Sequence, residues 1–356
     1  MSISATPARH DRLDSLRGLA VVFMLEVHLG YWWTSGLPEG DPLVGLGTAL
    51  GGMAAPLFFT VAGAGLGISR RAEPGGFWSR NLRRGWALLL AGLVFTFVER
   101  AVYGPLGWVV LQCLGVSIII CALAMRAGPA ARAMAGIAVM AAAPLLRHAA
   151  GIPDVLFSDS MMGVSSPQAY LSSALLSGFF PLVPWTGFML LGTVAGERSF
   201  FGPSTSGAES PPNMAGWPQA LLASFLILAG AAGAAGGMPM EFFPPSLPFC
   251  LLASGLCMAA LAVIVVLPGR PGPQKSAAPL ASIGRLSLTI FIAHHLIGHD
   301  AFSAAGLLHS FDMTPALVMV LISWALAAAV AVLWSRVGFK YSLEWFLGRL
   351  AGRASK

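Results

Sequence analysis

Ten stretches of this chain are apolar over a length that crosses a bilayer, and that repetition constrains the fold more than any other feature. Their approximate limits are 15–33, 45–69, 81–99, 106–126, 130–147, 168–197, 217–237, 247–267, 283–298 and 314–335. A hydrocarbon core about 30 Å thick takes roughly 20 residues of helix to cross. Only helices and closed barrels satisfy their backbone there, and the residue alternation of barrel strands is absent. Composition agrees: 56% of the 356 residues are hydrophobic and 10% charged, against about a quarter charged in a soluble domain. The expected fold class is all-α, a polytopic membrane protein of about ten transmembrane helices. It is read as a single domain over 1–356, with no soluble module and no sequence repeat.

The basic residues set the expected sidedness. With the N-terminus in the cytoplasm and sides alternating, all of the 21 Lys and Arg except Arg100 and Arg147 fall at the cytoplasmic face. That asymmetry is the positive-inside pattern, and it puts both termini in the cytoplasm. The net charge of +6 therefore reads as topology; no basic block with interleaved aromatics suggests nucleic acid. The first apolar run lacks a small-residue cleavage site and is expected to stay in the mature protein. Cys113, Cys121, Cys250 and Cys257 all lie inside apolar runs and read as small core residues.

Three connections stand out. Segments 199–216 and 268–280 are Pro/Gly/Ser-rich and read as mobile cytoplasmic loops, and 148–167 is long enough to help cover a site. The sixth span is interrupted by Pro181 and Pro184, which predicts a short helix, a kink at FFPLVPW and a second helix. Tyr341 to Leu350 is amphipathic and fits the membrane surface.

The first span carries the most informative chemistry. Arg17 and His28 are eleven residues apart, almost three whole turns, so both side chains share a face about 16 Å apart along the axis. Asp14 lies one turn before Arg17 on that face, positioned to orient it. Glu26 lies about 200° round from His28 and must meet a different neighbour. Ionisable groups at membrane depth face protein or a wet cavity. His28 suits general base work; its alternative is a buried imidazole bonded to another helix. Arg17 is either a topology anchor or a phosphate-binding group.

Arg80, Arg83 and Arg84 at the start of the third span are open to the same two readings. In the ninth span His294, His295, His299 and Asp300 gather near the outer side. His295 and His299 have zinc-compatible spacing, but no catalytic Glu lies between them, and no metal is expected. A polar lining for the cavity that receives His28 is the preferred reading. Tyr31, Trp32 and Trp33, directly after His28, are candidates for stacking on a sugar, against the ordinary role of interface anchors; Trp185, with Pro181 and Pro184, marks either a cavity wall, and so a substrate-binding candidate, or an ordinary packing kink. Gly63, Gly65 and Gly67 follow no strand, so close helix packing explains them better than nucleotide binding.

The opening Asp14-x-x-Arg17-Gly18, with a histidine eleven residues after the arginine, resembles the transmembrane acyltransferase superfamily. Pro56-Leu57-Phe58-Phe59, Val110 to Val116, Phe180 to Trp185 with Leu191-Gly192, Gly284 to Thr289, and Ser342 to Phe346 are similar to bacterial relatives of heparan-α-glucosaminide N-acetyltransferase. The loop Leu29 to Asp41 has no histidine, a departure from the lysosomal branch. The resemblance implies acyl transfer, usually of acetyl, from cytosolic acetyl-CoA or another acyl-CoA to a hydroxyl or amine of a sugar or glycan outside. It assigns His28 to acid/base or acyl-relay work and Arg17 to the donor; with it, the residues themselves offer Asp14 as a catalytic candidate that orients Arg17, Arg80, Arg83 and Arg84 as further donor-binding charge, and Trp32, Trp185, His294 and His295 as acceptor-binding candidates. Gln112 and Thr289 are candidate oxyanion donors. It further implies a bacterial inner or plasma membrane as the location; a homo-oligomer is compatible with the pattern. The rival reading is a transporter or flippase for a small or lipid-linked solute, since kinked helices and buried ionisable groups suit transport equally.

Overall fold

The structure, a computed structural model, describes residues 11–36, 40–72, 74–104, 106–152, 164, 166–199, 217–266 and 278–352. The three connections singled out above lie largely outside them. The helices in chain order begin with α1 (Asp11–Trp33), α2 (Pro42–Gly52), α3 (Ala54–Ala72), α4 (Phe77–Val98), α5 (Arg100–Tyr103), α6 (Val110–Ala124), α7 (Pro129–Ala149) and α8 (Pro167–Ser172). A π turn over Ser173–Ser177 precedes α9 (Leu182–Ser199), α10 (Trp217–Ala235), α11 (Leu247–Val266), α12 (Pro279–Arg285) and α13 (Ser287–His294). A second π turn, His295–Ala301, leads into α14 (Phe302–Ala304), followed by α15 (Met313–Ser335) and α16 (Leu343–Leu350). Proline occupies the first turn of α2, α7, α8 and α12, where its missing N–H costs no intrahelical bond. No named strand occurs among the described residues; the fold is all-α.

Among the described residues six helices are long and apolar enough to cross a membrane, or eight if each of two bent pairs is one span. The count of ten is not confirmed by this measure. The two expected spans outside it are α1, made polar by Asp14, Arg17, Glu26 and His28, and α6, whose 15 residues reach only about 22 Å. The kink expected at FFPLVPW is present: Pro167–Ser177 and Leu182–Glu197 meet at 44°. The ninth span, expected as one helix over 283–298, is instead bent by 76° between Pro279–Arg285 and Ser287–Ala304.

The described residues pack as two compact units, one from 1–58 and 270–346, the other from 59–269 and 347–356. In the first, α1 meets α12 through two glycines. A Cβ on Gly18 would overlap the Leu280 carbonyl, and one on Gly284 would overlap that of Asp14. Backbone-to-backbone approach of this kind requires small residues, which accounts for glycine in both motifs. Helix α2 lies against α1 through Gly47 and Gly51, facing Glu26 and Val27, so Glu26 does look at a different neighbour from His28.

The 76° bend has a chemical partner. Glu344 at the start of α16 accepts hydrogen bonds from the N–H groups of Leu288 (2.5 Å) and Thr289 (3.0 Å) and from the Thr289 hydroxyl (2.6 Å). A helix N-terminus carries unsatisfied N–H donors and a positive dipole end; the carboxylate answers both, so the span can break at Leu286. The Gly284–Thr289 and Ser342–Phe346 motifs thus meet at one helix end. Replacing Glu344 by Ala strands these donors, a loss of about 1–3 kcal/mol. A lowered thermal midpoint of the purified protein, with Glu344→Gln intermediate, is the expected result.

The second unit is threaded by glycine seams. Gly63 and Gly67 of α3 face the backbone of α9, whose Gly192 and Gly196 face Thr60 and Ala64 in return. This bears out the packing reading for Gly63 and Gly67; a Cβ on Gly65 would meet nothing within 4 Å. All four cysteines are free and buried. Arg132 and Arg147, read from sequence as charges on opposite faces of the membrane, are both buried. Arg132 is neutralised by Glu197, which also pairs with Arg71 (3.6 Å), and Arg147 donates to the Pro245 carbonyl (3.1 Å). Buried charges persist only when so compensated.

Candidate active site

The first unit gathers the histidines. Helix α1 presents half-buried His28 one turn before Trp32, and α13 ends at buried His294, with His295 opening the π turn. His28 Nδ1 and His294 Nε2 are 2.9 Å apart. The two rings are within 13° of parallel with centroids 5.1 Å apart. Because the centroids are farther apart than the nitrogens, the rings meet edge to edge, as an in-line hydrogen bond requires. His295 stands across them, 4.5 Å from His294 and 6.0 Å from His28 between centroids.

Trp32 covers the cluster. Its ring stacks on His294 (5.6 Å, 18°) and lies 5.3 Å from His28, 5.1 Å from His295 and 5.1 Å from His299. His299 Nδ1 in turn pairs with Asp300 at 2.8 Å. The end of α1 is locked in place beside it. Trp33 donates to the Gly298 carbonyl (2.8 Å), while the amides of His309 and Phe311 donate to the carbonyls of Trp32 and Trp33 (2.8 and 3.0 Å). Two consecutive histidines on an ideal α-helix point about 100° apart. Here the helix gives way to a π turn at His295, a departure frequent at functional sites.

Asp14 and Arg17 form the expected pair at the other end of α1, with 2.6 Å between Oδ1 and the guanidinium. Asp14 is buried and Arg17 partly exposed. Four further expected residues lie in the second unit. Arg80, Arg83 and Arg84 occupy the first turns of α4, with Arg83 exposed and its Nε donating to the Ser79 carbonyl (3.2 Å). Trp185 is fully buried among Phe59, Phe180, Phe188 and Phe242, at centroid distances of 5.4, 5.2, 5.3 and 5.5 Å. It presents no ring face to a sugar in this structure. The candidate oxyanion donors are engaged elsewhere. Gln112 accepts from the Val109 amide (2.7 Å) and donates to the Gly107 carbonyl (2.9 Å), and Thr289 serves Glu344.

His28, His294 and His295 each place a ring nitrogen within 4.8 Å of the others, a donor set that suits zinc. Two imidazoles on one ion direct their lone pairs at the ion, about 2.0–2.1 Å away. In this structure the facing nitrogens of His28 and His294 lie 2.9 Å apart, one N–H directed at one lone pair, so the cluster is arranged as a hydrogen-bonded pair. Chemically, this site offers a neutral base with one nitrogen secured, beneath an aromatic lid, on a helix whose far end holds a cation.

Sequence reasoning missed Glu344, Trp33 and His309 as parts of the frame.

A model of the family described as heparan-alpha-glucosaminide N-acetyltransferase, catalytic, matches residues 9–233. A second family, described as a protein of unknown function (DUF418), matches residues 212–351. His28 and Trp32 fall in the first match; His294, His295 and Glu344 fall in the second. No curated protein matches the chain.

Proposed function

Because the chain belongs to the heparan-alpha-glucosaminide N-acetyltransferase catalytic family, we propose that this multi-pass membrane protein transfers an acyl group, acetyl foremost, from cytosolic acyl-CoA to a hydroxyl or amine of a sugar or glycan on the opposite side of the membrane. The observation that supports this best is the composition of α1. It holds an ion-paired arginine at one end and, about 16 Å on, a histidine secured by a second histidine and covered by a tryptophan.

In this reading Arg17, oriented by Asp14, holds a phosphate of the donor, and the outstretched arm of CoA carries the thioester toward His28. A guanidinium suits phosphate through charge and bidentate donors. His28 takes the proton from the acceptor's hydroxyl or amine as its oxygen or nitrogen attacks the thioester carbonyl. The tetrahedral intermediate collapses, the carbon–sulfur bond breaks, and the thiolate recovers the proton from the imidazolium. Trp32 and His295 flank the acceptor. The termini lie on the donor's side.

Two bent spans in one chain favour a second reading, solute transport through broken helices. One experiment separates them. Purified protein is given acyl-CoA and amino-sugar or glycan acceptors, and sealed vesicles containing it are assayed for uptake of the unmodified acceptor. Covalent acylation supports the transferase; uptake without acylation overturns it. Within the transferase reading, Arg17→Gln is expected to raise the KM for acyl-CoA about tenfold, equivalent to about 1.4 kcal/mol of binding. Little change in kcat should accompany it in initial-rate measurements. An unchanged KM would remove Arg17 from the donor site.

A further inference from the structure

The hydrogen bonds around His294 carry more than proximity. Its Nδ1 lies 3.3 Å from the carbonyl oxygen of Ile290, one turn back on α13. A carbonyl only accepts, so His294 Nδ1 is the protonated nitrogen and its Nε2 bears the lone pair. That lone pair faces His28 Nδ1 at 2.9 Å, so His28 Nδ1 must be the donor. In a neutral imidazole one nitrogen donates and the other accepts. The unprotonated nitrogen of His28 is therefore Nε2, which forms no hydrogen bond among the described residues.

We propose that His294 is a positioning residue that fixes His28 in its Nδ1–H tautomer and leaves Nε2 as the nitrogen that takes the acceptor's proton. This rests on the acyl-transfer reading. The relay runs from the Ile290 carbonyl through His294 to His28, the logic by which a carboxylate orients the base of a hydrolytic triad, with a neutral imidazole in the carboxylate's place. The frame that holds it is rigid. His294 is buried, and its helix begins at the end that Glu344 caps. Trp32 lies within 18° of the His294 ring plane and 31° of His28, which keeps the two imidazoles in line. When Nε2 accepts a proton, Nδ1–H stays bonded to the His294 lone pair, so the imidazolium is steadied without a second proton moving. The other titratable groups beside the pair are His295 and, against Trp32, His299 with Asp300 2.8 Å from its Nδ1; none of them stands on the line from Ile290 to His28.

The test combines a spectroscopic and a kinetic readout. With ¹⁵N-histidine-labelled protein in lipid nanodiscs, His28 in the wild type is expected to show a protonated Nδ1 and an unprotonated Nε2. His294→Phe keeps the ring shape and removes the acceptor. It should lower kcat by about 10²-fold, leave the KM for acyl-CoA unchanged, and let His28 populate both tautomers. His294→Gln, whose amide oxygen reaches nearly the same place, should recover at least about tenfold of the lost kcat if acceptance of the Nδ1 proton is what matters. A His28 in the Nε2–H tautomer in the wild type overturns the proposal, and that measurement does not depend on any variant folding. A glutamine variant as slow as the phenylalanine one overturns it as well. The expected tautomer in a protein that acylates nothing keeps the hydrogen-bond relay and overturns the acyl-transfer reading instead.

Discussion

His28→Ala is expected to reduce acyl transfer by about 10²–10⁴-fold, the usual contribution of a positioned general base, while the thermal midpoint stays close to that of the wild type. Both halves follow from the site. His28 is half-buried and makes one hydrogen bond, to His294, so its loss removes little packing. The other imidazoles stand back from that place: the His295 ring is centred 6.0 Å from that of His28, and His299 Nδ1 faces Asp300 at 2.8 Å. Initial rates of CoA release, with an unfolding curve on the same sample, decide the matter. Full activity would take the base away from His28 and leave the family assignment intact.

Gly284→Ala is expected to damage the fold as much as any single methyl group in the first unit. The added Cβ falls on the Asp14 carbonyl, and Gly18 on the facing helix is equally close to the Leu280 carbonyl. A flexible side chain could swing away; a carbonyl moves only if α1 and α12 separate. Overpacking costs about 1–3 kcal/mol and occasionally more, and here it should reach the upper end, because the backbone that must yield also carries Asp14. At roughly 2–4 °C per kcal/mol for a unit of 150–250 residues, the thermal midpoint should fall by several degrees. The control is Gly45→Ala on α2, where a Cβ meets nothing within 4 Å. Equal midpoints for the two variants would mean that the α1–α12 contact is not as close as described.

These two positions also show what the sequence discloses and what it withholds. That His28 would meet protein or a wet cavity was legible because ionisable groups at membrane depth do so, though its bond to another helix was the alternative reading, and the Asp14–Arg17 pair was legible because three residues make almost one turn. The all-α membrane class followed from the apolar runs, and the kink at Pro181 and Pro184 followed from proline chemistry. The meeting of His28 with His294 was expected only as a shared cavity lining. The in-line bond depends on the 76° bend after Arg285 and on the π turn at His295. The bend in turn depends on Glu344, 55 residues beyond Thr289. No local periodicity encodes a cap supplied from so far along the chain. Trp185 and Gln112 were misleading for a related reason. Each is a polar-tipped residue in an apolar run, and each proves to belong to packing or to a helix end in the second unit.

In the proposed reaction the donor is held at the Arg17 end of α1 and the acceptor is modified at the His28 end. The most direct measurement uses proteoliposomes of known orientation, with radiolabelled acetyl-CoA on one side only and a membrane-impermeant amino sugar on the other. Labelled sugar is expected when acetyl-CoA faces the Arg17 end, and none when the two substrates are exchanged. Labelled sugar that appears only when both substrates share a side would contradict it.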